Sequence, residues 1–303
     1  MKDMMQWNQV EPSNAEEIQP VQKFGMGNEN MVQTIIPAHL REVEQQYHVK
    51  VLLAVESGSR AWGFESQNSD WDVRFIYVHR PEWYFRIEDQ RDVIEHMYDD
   101  DVDLAGWELR KALCLLRRCN PSLLEWIHSP VKYEADSEFY HRVLAVEKDF
   151  FNPVKCMYHY NRIYNKHNER YLRFKAFHMK RFLYYLRGVL ACQWIEQHRS
   201  IPPVHFQDLV DAVVDDEGIR TQICHLVEIK KSGNESAAER IDENLFSYAQ
   251  SLAEHYNQTI GQFRPEFNHV SAEALDSIFY DMVRMNANKP TRHKPLGETE
   301  YPI

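Results

Sequence analysis

The chain has 303 residues, 44% hydrophobic and 13% aromatic, enough to bury a sizeable core and to form more than one domain. Its 46 acidic residues against 35 lysines and arginines leave a net charge of −11, which argues against indiscriminate nucleic-acid binding, since phosphate neutralisation supplies most of that affinity. Five cysteines without C-x-x-C spacing, no apolar N-terminal segment and no window approaching a membrane span lead us to expect a cytoplasmic protein with reduced thiols and no membrane partner.

Residues 1–30 are polar and punctuated by proline and glycine, and read as an extended arm. Residues 38–47 read as a helix. The apolar run from Lys50 to Ser57 reads as a strand buried on both faces. Gly58 then permits a sharp turn into a short helix start at Ser59 to Phe64, where backbone N–H groups, the Ser59 hydroxyl and the helix dipole converge on a position suited to a phosphate. Arg60 follows this turn, and reads either as a nucleotide contact or as part of the scaffold.

A second strand, 71–79, alternates with a period of two, which places Asp70, Asp72 and Arg74 on one face. Two carboxylates so placed suit Mg²⁺, or Mn²⁺ in its stead, which takes hard oxygen ligands and keeps water and substrate phosphates. Arg74 reads either as a buffer for the carboxylates or as a phosphate contact. Further strands are expected at 91–98 and 101–105. In the latter, Val102 and Leu104 alternate with Asp101 and Asp103. Held between two apolar residues, Asp103 rather than Asp101 is expected to face the Asp70/Asp72 pair, as the third metal-binding acid and the group that accepts the proton of an attacking hydroxyl.

A helix from Trp107 presents Leu109, Ala112, Leu113 and Leu116 on one face, and Pro121 opens another. From 136 to 285 the pattern is helical, with breaks at Asn152-Pro153, Pro202-Pro203 and Ser232-Gly233-Asn234; residues 286–303 read as a flexible tail. The expected organisation is therefore an arm (1–30), a sheet-bearing domain (31–135), a helical domain (136–285) and the tail.

Charge is unevenly spread. Residues 155–200 hold ten lysines and arginines against only Glu169 and Glu196, a basic helical region able to hold a triphosphate and a strand of RNA. Within it Met179, Phe182, Leu183, Leu186 and Leu190 form an apolar face. Arg173, Lys180, Tyr184 and Arg187 run along a separate flank that reads either as a triphosphate contact or as ordinary solvated charge. Tyrosines 158, 160, 164, 171, 184 and 185 read as core residues or as base-stacking platforms. The fifteen histidines form no H-E-x-x-H pattern, so a zinc site is not expected.

The string Glu56-Ser57-Gly58-Ser59-Arg60-Ala61-Trp62-Gly63-Phe64, with Ser69-Asp70-Trp71-Asp72-Val73-Arg74-Phe75-Ile76-Tyr77-Val78, closely resembles the nucleotidyltransferases of the DNA polymerase beta superfamily associated with RNA repair (RlaP-like). Trp107 to Leu113, Asn120 to Trp126 and Lys180 to Trp194 also resemble that family, over roughly residues 45–215 in all. The resemblance implies an α+β fold: a polymerase-beta-like domain with a small mixed sheet flanked by helices, then an all-helical C-terminal domain. It implies a site that binds a nucleoside triphosphate and Mg²⁺ and transfers a nucleotidyl group to a hydroxyl. By position Gly58 and Ser59 would hold the β- and γ-phosphates, Asp70 and Asp72 the metals, and Asp103 would be the third carboxylate. The sequence leaves the acceptor open between an RNA 3′ end and a protein hydroxyl, as in nucleotidylating antitoxins. The intact carboxylates argue against a third reading, a nucleotide-binding regulatory module without turnover.

Overall fold

A computed structural model describes residues 30–174, 179–233, 241–263 and 271–287, with the side chains of 167–174 left aside. Nearly all of the expected arm and of the expected tail, Arg173 and Tyr171 as side chains, and Asn234 lie outside what is described.

The sheet has five strands: β1 (Lys50–Glu56), β2 (Trp71–Val78), β3 (Val93–Met97), β4 (Val102–Glu108) and β5 (Lys132–Ala135), in the spatial order β3-β4-β2-β1-β5. β2 and β4 are parallel; every other neighbouring pair is antiparallel. A turn of π-helix (Met31–Ile35) leads into α1 (Ile36–Tyr47), whose Ile36, Leu40 and Val43 cover one face of the sheet over Val73, Phe75, Tyr77, Val102 and Leu104. The other face, with Leu53, Val55, Ile76 and Val78, packs on α4 (Leu109–Arg117) and α5 (Pro121–Ile127). Two short helices, α2 (Gly58–Trp62) and α3 (Pro81–Tyr84), interrupt the strand succession.

Side-chain caps set several helix starts. The expected helix from Trp107 begins at Leu109 instead: Trp107 continues β4, and the Glu108 carboxylate accepts the N–H groups of Arg110 and Lys111. Asn120 caps α5 and Asp136 caps α6 (Ser137–Phe150) in the same way. β5 was not expected, being four residues long and only partly buried at the sheet edge, with no alternation to betray it.

The helical region comprises α6, α7 (Pro153–Phe174), α8 (Met179–His198), α9 (Phe206–Val213), α10 (Glu217–Lys231), α11 (Glu243–Thr259) and α12 (Glu273–Ala287). A Cβ on Gly188 would lie 3.2 Å from the Tyr164 side chain, so glycine lets α7 and α8 pack closely. One apolar cluster runs without a break from Leu53 and Ile76 of the sheet through Leu186 and Leu190 of α8 to Leu245 and Ile278. It crosses residues 135/136, where secondary structure changes from mixed to all-helical. α12 returns to the sheet, where the Asn286 amide donates to the Val78 carbonyl at 3.4 Å.

Candidate active site

The site begins where β1 ends. Gly58 has φ +62°, the left-handed region open to glycine at little cost, and a Cβ there would lie 2.4 Å from Asp72 Oδ2. The absence of a side chain thus lets the turn close over the carboxylate of the neighbouring strand, and the Ser57 N–H donates to the Asp72 carbonyl at 2.9 Å. Asp72 and Arg74 share the β2 face that continues as Ile76 and Val78, the face covered by helices. Asp70 stands one residue before the strand and is exposed.

Parallel pairing of β2 with β4 sets Asp72 directly opposite Asp103. The preference for Asp103 over Asp101 agrees with this register: Asp101 sits in the preceding turn at φ +61°, its carbonyl accepting the Trp71 N–H at 2.9 Å. Arg74 Nη2 donates to Asp72 Oδ1 and to Asp103 Oδ2, each at 2.9 Å. Burial raises the Asp72 carboxyl above its ordinary value; Arg74 opposes the shift most strongly, Asp103 and Asp70 add to it, and Lys180 opposes it.

Beside these strands lies a cleft of 240 Å³. One wall is Ser59, Ser66, Asn68, Ser69, Asp70 and Asp72; the other is Lys180 and Tyr184 of α8 with Lys230 and Gly233 at the end of α10. The lining thus joins two carboxylates to two lysines. Lys230 is 3% exposed and its Nζ donates to Ser66 Oγ at 3.4 Å. Sequence reasoning missed it, although the signal was present: Ile219, Ile223, Leu226 and Val227 make an apolar stripe on α10, and Lys230 continues that stripe as a charge. It is buried on α10 and lines the cleft.

Of the other expected site residues, Arg60 is buried behind the cleft. Its Nη2 donates to the Ser69 carbonyl at 2.6 Å, its Nε to the Asp70 carbonyl at 3.2 Å, and its guanidinium lies 3.7 Å over the Trp71 ring, so it fixes the loop that carries Asp70. Arg187 does not share the cleft with Lys180 and Tyr184. It is 3% exposed, donates to Glu125 Oε1 at 2.9 Å and lies 4.3 Å over the Trp62 ring. Tyr160, Tyr164 and Tyr185 are core residues, Tyr158 is half exposed, and Tyr184 sits edge-on to Trp62 at 4.7 Å beside the cleft. Asp103 adjoins Asp72 through Arg74 and is not among the residues that line the cleft.

A buried carboxyl supports Asp72 from behind. Glu56 is 1% exposed; its Oε1 accepts the Asp72 N–H at 2.8 Å and its Oε2 the Tyr133 hydroxyl of β5. Burial pushes Glu56 up to about 8, against the hydrogen bonds from Tyr133 and Asp72.

Among the described residues, no three acidic, histidine or cysteine side chains converge closely enough to enclose a metal ion. The two carboxylates on the cleft nevertheless fit Mg²⁺, which is commonly held by one or two carboxylates with substrate phosphates and water completing its shell. Among the described residues no helix is long and apolar enough to cross a membrane.

The mixed sheet flanked by helices, with Gly-Ser just past the end of one strand and Asp-x-Asp at the start of its neighbour, puts the protein in the nucleotidyltransferase-like class. More particularly, the chain matches the RNA repair pathway DNA polymerase beta family (RlaP) over residues 32–281, and belongs to it. It is 39% identical over 243 residues to YcgL of Bacillus subtilis (strain 168), described as an uncharacterized protein, with 80% of this chain and 93% of that one covered. A solved structure, the nucleotidyltransferase-like protein from Exiguobacterium sibiricum 255-15, aligns with 82% of this chain and 89% of its own at 12% identity and a TM-score of 0.31.

Proposed function

We propose that the chain is a Mg²⁺-dependent nucleotidyltransferase that moves a nucleotidyl group from a nucleoside triphosphate to an acceptor hydroxyl, with an RNA 3′ end as acceptor. The observation that carries this reading is one cleft lined by Asp70 and Asp72 from the sheet side and by Lys180 and Lys230 from the helices. A tetra-anionic triphosphate needs both: cations to offset its charge, and carboxylates to hold the ion that accompanies it.

In this reading Ser59 donates to the phosphates from the Gly58 turn, and the two lysines neutralise the triphosphate and the departing pyrophosphate. Tyr184 offers a ring edge or face to the base. Asp70 and Asp72 hold the divalent cation, Mg²⁺ or Mn²⁺, which when bound offsets charge on the reacting phosphoryl group. The acceptor oxygen forms a bond to the α-phosphorus as the bond to the β-phosphate oxygen breaks, and the hydroxyl proton passes by way of water to Asp103, which does not itself line the cleft. Gly58, Arg60 and Glu56 keep the turn, the Asp70 loop and the Asp72 backbone in place.

RNA is favoured over a protein acceptor by α7, where Lys155, Tyr158, Arg162 and Lys166 are all exposed at helical spacings of three and four. Such a row of cations with an interleaved ring suits a phosphate backbone and stacked bases. The test is to incubate the protein with α-labelled triphosphates, Mg²⁺ and either total RNA or total protein. Label in the RNA pool supports the reading; label confined to protein moves the acceptor to a side-chain hydroxyl, and label in neither removes the reading.

A further inference from the structure

Arg74 occupies the space between two carboxylates that a two-cation site would bridge with metal. Its Nη2 serves Asp72 Oδ1 and Asp103 Oδ2 at 2.9 Å each, while Nη1 donates to the Asp103 carbonyl at 2.8 Å and to the Val73 carbonyl at 3.2 Å. A guanidinium presents its donors in one rigid plane, so four acceptors on two adjacent strands hold it in one pose. The register fixes this arrangement: Asp103 lies opposite Asp72, and Arg74, two residues along on the same face, reaches back between them.

Metal and arginine compete here. Magnesium ligands lie about 2.0–2.1 Å from the ion, and paired catalytic ions stand about 3.5–4 Å apart, so an ion shared by Asp72 Oδ1 and Asp103 Oδ2 would claim the volume that Nη2 fills. Asp72 Oδ2 remains, on the Gly58 side, together with the exposed Asp70 carboxylate at the cleft. Those two groups would hold one ion, with phosphates and water as its remaining ligands. Charge agrees: Arg74 offsets one of the three carboxylates at Asp70, Asp72 and Asp103, and one divalent ion offsets the other two.

We propose that Arg74 is the resident cation between Asp72 and Asp103, so that this site takes one divalent ion, on Asp70 and Asp72, and Asp103 is held in place by arginine rather than by a second metal. The proposal rests on the nucleotidyl-transfer reading of the cleft. Its consequence is that the charge beside Asp103 is permanent and independent of metal concentration, while the single ion travels with the phosphates.

The experiment is a Mn²⁺ titration of the full chain in the presence of inorganic pyrophosphate, the leaving group common to every nucleoside triphosphate, followed by electron paramagnetic resonance. Wild type is expected to bind one Mn²⁺ with the spectrum of an isolated ion, and Asp72→Asn to lose at least tenfold in affinity. Arg74→Met, confirmed as folded by circular dichroism, is expected to gain a second ion and the exchange coupling of a close pair. Two coupled ions in wild type overturn the proposal and leave the nucleotidyl-transfer reading standing. The wild-type count decides this without any variant. Arg74→Met folded but still limited to one ion also overturns the proposal. No Mn²⁺ bound by wild type, or undiminished binding by Asp72→Asn, removes the underlying reading and the proposal with it.

Discussion

Replacing Glu56 by Gln should flatten the pH dependence of stability between pH 5 and 8. Glu56 is 1% exposed, and burial raises its carboxyl from the ordinary 4.5 to about 8. Below 4.5 the group is protonated in both folded and unfolded chains and contributes no slope. Between 4.5 and 8 the folded chain keeps the proton that the unfolded chain has lost, so the folded state binds more protons and stability falls as pH rises. At about 1.4 kcal/mol per pH unit, the whole window amounts to roughly 4–5 kcal/mol as an upper bound. Glutamine has no proton to lose, keeps an oxygen for the Asp72 N–H, and meets the Tyr133 hydroxyl with an amide, since a phenol both donates and accepts. Urea denaturation of both proteins at successive pH values isolates this one group, because every other titration is common to the pair. The Gln variant should gain on wild type steadily from pH 5 to 8. A stability difference that stays flat, or that moves in favour of wild type, would refute the argument and mean that Glu56 folds as an anion sustained by its two donors.

Gly58→Ala should cost about 1–2 kcal/mol for the left-handed backbone alone, and its Cβ, 2.4 Å from Asp72 Oδ2, should push the carboxylate aside. The half-saturating Mg²⁺ concentration for transfer should therefore rise more than the loss in melting temperature suggests, and an unchanged metal requirement would count against the assignment of Asp72. Arg187→Ala leaves the Glu125 carboxylate with the Tyr160 hydroxyl but no cation, beside a buried gap, and should destabilise by about 3–5 kcal/mol in urea titrations, whereas a cost typical of a surface charge would return Arg187 to solvent. Lys180→Ala should weaken triphosphate binding, measured by calorimetry, more at low salt than at high salt because Lys180 is exposed; Lys230→Met, at a buried position, should weaken it with less dependence on salt.

The sheet and its acids were legible because they rest on short-range periodicity. Val102 and Leu104 on one face of β4 force Asp103 to the other, and the same alternation orders Asp72 and Arg74 on β2. Arg187 was misplaced for a reason periodicity cannot supply. On an isolated helix it falls on a polar flank with Lys180 and Tyr184, but α8 is surrounded by its neighbours from Phe182 onward, so that flank turns inward and its charge must find Glu125. Arg60 was ambiguous because its partners, the carbonyls of Ser69 and Asp70, belong to a loop whose path only the fold defines. Tyr133, which supports Glu56, comes from an edge strand with no apolar alternation, and Lys230 from a helix remote in sequence from the acidic strands. Sites assembled by long-range packing leave at most an anomaly in the sequence, such as a charge in an apolar stripe.

The most direct test is pyrophosphate release from nucleoside triphosphates in the presence of total RNA, measured for wild type and for the Asp70→Asn, Asp72→Asn double variant with and without Mg²⁺. Release by wild type that requires RNA and Mg²⁺ and all but disappears in the folded double variant is the predicted result. Release that persists undiminished when both carboxylates are gone would contradict the claim that this cleft carries the reaction.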